Sequence, residues 1–306
     1  MSLALRHELL RLPLRDPFRI ARSEHGAGHV ATTVIVELRD DRHPDVVGLG
    51  EGYPDTFYGE TPETMAAVFP HLVAAIGTPD LSSPEGLAAA SGRLVAAIRW
   101  NGAAKCAVDT ALHDLAGKIL GRSLADLLGT RGRMPPTDFT IGLDEPAVVA
   151  ERARRASAFP VLKIKVGGPA DVETLRAVRR VYDKPIRVDA NTGWTPDVAG
   201  DLIARLVDLG VELVEQPFPA NRLDWLADLQ QASPLPIVAD ESCVVDEDLD
   251  RLVGVVAGVN VKLAKCGGPG PAAAMLRRAR ALGFRTFLGC MEETSVAIAA
   301  SVAVAS

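Results

Sequence analysis

VLKIKV (161–166), IRVDA (186–190), VELVEQ (211–216), PIVADE (236–241) and VNVKLAK (259–265) are five short apolar runs that carry charge at or near their C-terminal ends. FTIGL (139–143) precedes them, FRTFLGC (284–290) follows, and the seven runs start 22 to 25 residues apart. That interval holds a strand, a helix and two loops, so the beat predicts consecutive βα units and a parallel sheet. Seven units in a row without a reversal favour a barrel over an open doubly wound sheet. The open sheet would also want a GxGxxG turn after its first strand, and FTIGLDEP has none. The expected fold is therefore α/β, a TIM-like (β/α)7β barrel over residues 126–306. An eight-stranded barrel usually takes about 250 residues, so a count of seven carries the expectation that the last barrel strand is absent from this 306-residue chain.

Upstream of the Pro/Gly-rich junction RGRMPPTD (131–138) the pattern changes. VATTVIVEL (30–38) and VVGLGEG (46–52) are rich in β-branched residues and glycine and predict strands. NGAAKCAVDTALHDLAGKIL (101–120) predicts a helix, with Asn101 as its cap and Val108, Leu112, Leu115 and Ile119 on one face. Strands followed by helices make residues 1–125 an α+β unit.

The whole-chain properties are those of an ordinary globular protein: 48% hydrophobic, 24% charged, net charge −6. That mild acidity offers no field for gathering phosphates, so nucleic acid is not an expected partner. Four cysteines (Cys106, Cys243, Cys266, Cys290) form no CxxC, and six scattered histidines form no HxxxH. A zinc framework, a disulfide scaffold and a histidine-built metal site are thereby disfavoured. MSLALRHELLRLPLRDPF is broken by charges too often for a signal peptide, and no run of about 18 apolar residues spans a membrane. A cytoplasmic homo-oligomer is expected.

The charges at the strand ends carry the chemistry. Lys163 and Lys165 share one face of their strand because the strand period is two. The next three strands end in Asp189, Glu215 and Asp240, and the sixth run holds Lys265, at successive steps of 24, 26, 25 and 25 residues from Lys165. Residues one βα unit apart are neighbours around the C-terminal rim of a barrel, where barrel active sites lie. Three carboxylates converging there cannot all stay ionised without a cation between them. All-oxygen ligation points to a hard divalent ion, Mg2+ by default and Mn2+ as the alternative. A lysine beside such an ion and a second ammonium is expected to fall from about 10.4 towards 7–8, which makes it a usable base.

KIK (163–165), VDAN (188–191), VEQP (214–217), ADES (239–242) and KLAKCGG (262–268) together resemble the enolase superfamily, in its muconate-lactonizing subgroup, over essentially the whole chain. Sites of that superfamily are a stock example of a Lys or His base working with Mg2+. The resemblance implies Asp189, Glu215 and Asp240 as metal ligands, Lys165 and Lys265 as the acid/base pair, and Lys163 holding the substrate carboxylate and tuning Lys165. It also implies that the N-terminal unit caps the barrel mouth. Within the subgroup, FRIARSEHG (18–26), GEGYPDTFYGETPET (50–64), DFTIGLDEP (138–146) and LGCMEETS (288–295) look most like dipeptide epimerases of the Ala-Glu kind. That likeness implies a dipeptide substrate, with Thr140, Met291 and Glu293 as further substrate contacts. The family's Asp-x-Asp for the dipeptide ammonium would lie beyond Ser306, and Ser295 stands where some Ala-Glu enzymes carry lysine.

The implied reaction is a 1,1-proton transfer at the α-carbon of a carboxylate, which needs one base on each face. Same-scaffold alternatives are o-succinylbenzoate synthesis, N-succinylamino acid racemisation and cycloisomerisation. A Schiff-base aldolase would leave three rim carboxylates unused, and a non-catalytic barrel would leave the whole register unexplained. Other features read as structure. Trp100, Trp194 and Trp225 form no stacking array, GGPGP (267–271) is a turn opening a helix, and Cys266 and Cys290 are small apolar fillers. His113 has no metal-ligand spacing.

Overall fold

The computed structural model describes residues 3–22 and 28–306; residues 23–27, which include the last four of FRIARSEHG, lie outside the described residues. The chain begins with strands β1 (Leu3–Phe18), β2 (Gly28–Asp40) and β3 (Gly48–Gly52), paired antiparallel in that order. Helices α1 (Pro62–Ile76), α2 (Pro84–Ala96), α3 (Gly102–Leu120) and α4 (Leu124–Leu128) follow. Val34, Val36 and Leu38 alternate into a core with Met65, Phe69, Leu72 and the buried face of α3. The glycines of β3 set the distance of that helix. A Cβ at Gly48, Gly50 or Gly52 would lie 2.1, 1.9 or 2.2 Å from the carbonyl oxygens of Ala111, Ala107 and Ala103. Alternate glycines on the strand thus meet alanines four residues apart on the helix, and backbone packs on backbone.

The predicted cap at Asn101 is not made. Asn101 sits in the left-handed region with no side-chain bond to the helix. The Glu60 carboxylate accepts from the amides of Ala103 and Ala104 instead, at 2.6 and 3.2 Å. A negative group there satisfies two free N–H donors and complements the helix dipole.

The rest of the chain alternates strand and helix: β4 (Asp138–Ile141), α5 (Pro146–Arg155), β5 (Val161–Lys165), α6 (Asp171–Arg179), β6 (Ile186–Asp189), α7 (Pro196–Asp208), β7 (Val211–Glu215), α8 (Leu223–Ala232), β8 (Ile237–Ala239), α9 (Asp248–Leu252), β9 (Gly258–Lys262), α10 (Leu263–Cys266), α11 (Pro269–Ala281), β10 (Arg285–Gly289) and α12 (Ser295–Ala305). The seven strands pair in parallel in sequence order, β10-β9-β8-β7-β6-β5-β4, as the seven-run beat requires. The sheet is curled. Arg187 of β6 reaches Asp138 of β4 at 3.0 Å, and its guanidinium lies 5.2 Å from the Phe287 ring of β10, so both edge strands meet one side chain. The second core, built from Leu162, Ile164, Val188, Val214, Ile237, Val259, Val261 and the inner faces of the helices, is separate from the first.

Candidate active site

The pairing registers align the strand ends. Lys165 lies opposite Asp189, and Asp189 opposite Glu215. β8 pairs Val238 with Glu215, which puts Asp240 two residues further along on the same face. Asp189, Glu215 and Asp240 are buried, and each offers an oxygen within 4.8 Å of the others. Burial and the charges of Asp189 and Asp240 push the Glu215 carboxyl up to about 7. Burial works in the same direction on Asp189, but the ammoniums of Lys165 and Lys163 outweigh it and hold that carboxyl at about 2.

Three lysines face this cluster. Lys163 Nζ lies 3.1 and 3.2 Å from the Glu215 oxygens and 3.3 Å from Asp189 Oδ2. Lys165 Nζ donates to Asp189 Oδ2 at 2.7 Å and to Asn191 Oδ1 at 2.6 Å. The third is Lys262, at the end of β9, whose Nζ donates to Asp240 Oδ2 at 2.7 Å. Burial would lower Lys163 and Lys262, yet both are raised, Lys163 by Glu215 and Asp189 and Lys262 by Asp240 and Glu215. In the protein alone the field therefore runs opposite to the lowering expected beside a cation.

Lys265 is placed differently. Its side chain has no exposed surface, and Nζ donates to the carbonyls of Asp240 (2.6 Å), Cys243 (2.8 Å) and Asn260 (2.9 Å) and to Asp240 Oδ1 (2.6 Å). An ammonium engaged by four oxygens behind Asp240 does not face the mouth. The step of 25 residues overshoots because β9 ends at Lys262 and the chain turns into α10. Period-two alternation from Asn260 to Lys262 was the signal in the sequence that finds the inward residue. Gly289, opposite Lys262 in the register, leaves room for it: a Cβ there would lie 3.1 Å from Lys262 Cε and 2.7 Å from Asn260 Oδ1.

Other polar side chains hold this set. Asn260 Nδ2 donates to Glu215 Oε1 at 2.8 Å, and Gln216 Oε1 accepts from the amides of Asp240 and Ser242 at 2.9 and 3.1 Å. From the first domain, the Phe18 ring lies 5.8 Å from Lys165 Nζ, and Arg22 pairs with Glu241 while lying over the Phe57 ring. Thr140 pairs in register with Lys163 on the inner face of the sheet. Met291 and Glu293 follow β10; Glu293 Oε2 accepts from the Met291 amide at 3.2 Å, and its Oε1 is buried without a partner. Cys266 is buried as expected, whereas Cys290 is exposed and is no filler.

Whether these residues suit a divalent cation can be judged from the donor set. Three convergent carboxylates supply hard oxygen only, and burial with the charges of Asp189 and Asp240 drives Glu215 towards its neutral form despite the ammonium of Lys163. Both features are what an oxygen-ligated divalent ion relieves.

Residues 6–129 match the family described as mandelate racemase / muconate lactonizing enzyme, N-terminal domain, and residues 147–306 match the enolase C-terminal domain-like family. This chain belongs to the enolase superfamily. An L-Ala-D/L-Glu epimerase of Bacteroides thetaiotaomicron is 38% identical over 95% of this chain and 74% of its own length. The crystal structure of a dipeptide epimerase from Enterococcus faecalis, complexed with Mg and L-Leu-L-Tyr, superposes with a TM-score of 0.90 at 33% identity, covering 99% of this chain and 87% of that one. An N-succinyl Arg/Lys racemase from Bacillus cereus gives 0.89 at 29% identity, covering 99% and 84%. The first of the two family matches spans β1–α4 and the second spans α5–α12. Among the described residues no helix is long and apolar enough to cross a membrane.

Proposed function

We propose that this chain is a Mg2+-dependent isomerase that epimerises dipeptides by moving a proton at the α-carbon next to the substrate carboxylate. One observation carries the reading. Lys165 on β5 and Lys262 on β9 stand on opposite walls of the mouth, with the three carboxylate-bearing strands β6, β7 and β8 between them. Asp189, Glu215 and Asp240 would hold the cation. Bound there, Mg2+ would supply Lewis-acid charge for the substrate carboxylate and relieve the anionic field that raises Lys262.

The side chains divide the remaining work. Lys163, between Glu215 and Asp189, is placed to hold the substrate carboxylate beside the metal ligands. Lys165 Nζ takes the α-proton from one face while Lys262 Nζ returns a proton to the other, and the roles exchange for the opposite epimer. Lys262 replaces Lys265 in this scheme because the Lys265 ammonium is enclosed by three carbonyls and Asp240 Oδ1, whereas Lys262 has Asp240 Oδ2 as its hydrogen-bond partner. Thr140, Met291 and Glu293 complete the walls.

The dipeptide reading is preferred over N-succinylamino acid racemisation on charge. Burial favours the protonated form of Glu293, which has an unpartnered buried oxygen; a substrate ammonium brought against it would restore the carboxylate as an ion pair, whereas a succinyl carboxylate would add a second negative charge to the same burial cost. The test follows the α-proton by NMR in 2H2O for a dipeptide panel and for N-succinylamino acids, with and without Mg2+. Metal-dependent wash-in with dipeptides supports the reading; exchange confined to the N-succinyl compounds moves the assignment to the racemase, and exchange with neither removes it.

A further inference from the structure

Lys165 differs from Lys262 in what holds it. The Asn191 side chain lies between Lys165 and Glu241: its Oδ1 accepts from Lys165 Nζ at 2.6 Å, and its Nδ2 donates to Glu241 Oε1 at 3.0 Å. An ammonium can only donate and a carboxylate only accept, so the two partners fix the amide in one orientation. Glu241 is held in turn by Arg22, which arrives from the cap just beyond β1 and lies 4.1 Å from the Phe57 ring and 3.7 Å from Asp55 Oδ2. The result is a continuous polar chain, Arg22–Glu241–Asn191–Lys165, running from cap to barrel.

Two features mark this chain as more than packing. Asn191 (3% exposed) has φ +40°, a backbone state that L residues other than Asn and Asp enter at a cost. Glu241 (2% exposed) keeps Oε2 buried without a partner. A half-satisfied buried carboxylate is a poor device for stability, and such local violations concentrate at functional sites. Lys262 has no comparable link to the cap in the hydrogen bonds of the described residues; its ammonium donates to Asp240 alone.

We infer that Glu241 and Asn191 are positioning residues that aim the Lys165 ammonium, so that proton transfer on the Lys165 face, and not on the Lys262 face, depends on the cap contact made by Arg22. The inference rests on the epimerase reading and adds an asymmetry to it. Neither side chain need touch the substrate. Each acts through Lys165.

The experiment measures deuterium exchange into each epimer of an accepted dipeptide separately, with Lys165→Ala identifying the epimer that Lys165 serves. Asn191→Gly is the principal variant, because glycine accepts the positive φ without strain and leaves the Glu241 charge, which also reaches Lys262, in place. Glu241→Gln is the second. Losing an outer partner of a site residue typically costs about 10–100-fold, so exchange of the Lys165 epimer should fall by that factor while the other stays within about twofold. Mn2+ affinity, read by EPR, should hold, and acetic-anhydride labelling read by mass spectrometry should show Lys165 becoming more reactive relative to Lys262. Equal losses on both epimers, or no loss on either, would overturn the inference. If the parent chain exchanges neither epimer, the epimerase reading fails, and the labelling still decides whether Asn191 holds Lys165: an unchanged Lys165/Lys262 ratio in Asn191→Gly refutes it.

Discussion

Replacing Lys262 and Lys265 one at a time by methionine separates a base from a structural cation. Lys262 ends in the mouth with one carboxylate partner, against four oxygens around Lys265, so Lys262→Met should destabilise the fold less than Lys265→Met and stop epimerisation. A positioned base contributes about 10²–10⁴-fold, and that is the loss expected in proton exchange for the epimer it serves, while the Lys165 epimer keeps exchanging. Lys265→Met removes an ammonium from the carbonyls of Asp240, Cys243 and Asn260 and from Asp240 Oδ1, all buried. Breaking a buried charge pair on one side costs about 3–5 kcal/mol, because the remaining acceptors keep their desolvation penalty. In a domain of this size that corresponds to a drop in Tm on the order of 10 °C. NMR-followed wash-in on each epimer, paired with thermal unfolding of the same samples, reads both quantities. A Lys265→Met protein that melts normally and loses exchange on one face only, beside an active Lys262→Met, would refute the assignment and restore Lys265 as the base.

Asp189→Asn, Glu215→Gln and Asp240→Asn should each weaken Mg2+ binding in titration calorimetry, and EDTA should abolish turnover reversibly; full activity after thorough chelation would remove the metal from the scheme. Gly50→Val places a Cβ 1.9 Å from the Ala107 carbonyl oxygen and should cost about 1–3 kcal/mol or more of stability, measured by thermal unfolding. Burial pushes the Glu293 carboxyl up to about 7 from its usual 4.5. The folded state therefore holds a proton that the unfolded state has released, and this group's contribution to stability declines as pH rises from about 4.5 to 7. Glu293→Gln should flatten that part of the stability–pH curve, and an unchanged slope would contradict the burial argument.

The barrel was legible because strands of a parallel sheet are covered on both faces and read as short apolar runs. Its rim was legible because Asp189, Glu215 and Asp240 stand at strand ends, where charge has no packing reason to recur at a fixed step. The step failed at β9, where the strand ends at Lys262 and the following turn carries Lys265 behind Asp240. Asn191 and Asn260 were not legible, since their partners Glu241 and Glu215 lie 50 and 45 residues away and leave no local pattern. The cap of α3 failed for the same reason: Glu60 lies 43 residues before Ala103, while Asn101 sits adjacent and takes no part.

The Glu60 contact lies within the first domain, but two other buried carboxylates use the same device to tie that domain to the barrel. Glu51, buried on β3, accepts from the amides of Thr294 and Ala297 at 2.8 and 3.0 Å, at the start of barrel helix α12. Asp109, buried on α3, accepts from the Gly270 amide at 3.0 Å in the first turn of α11. Both carboxylates stand where a helix presents free N–H groups and the positive end of its dipole, so each contact is favourable in hydrogen bonding and in charge. The strands leading into those helices end at Lys262 and Gly289, and the loop before α12 carries Met291 and Glu293. Cap and mouth therefore share their fixed points. Glu51 and Asp109 hold the β9 and β10 side of the site to the cap, and the Arg22–Glu241–Asn191 chain holds the β5 side. The two walls that carry the proposed bases are thus anchored by different contacts to one domain. A shift of the cap on the barrel would move the Lys165 wall through side-chain hydrogen bonds and the Lys262 wall through whole helices, and the inferred asymmetry is that exchange on the Lys165 face responds to such a shift more than exchange on the Lys262 face.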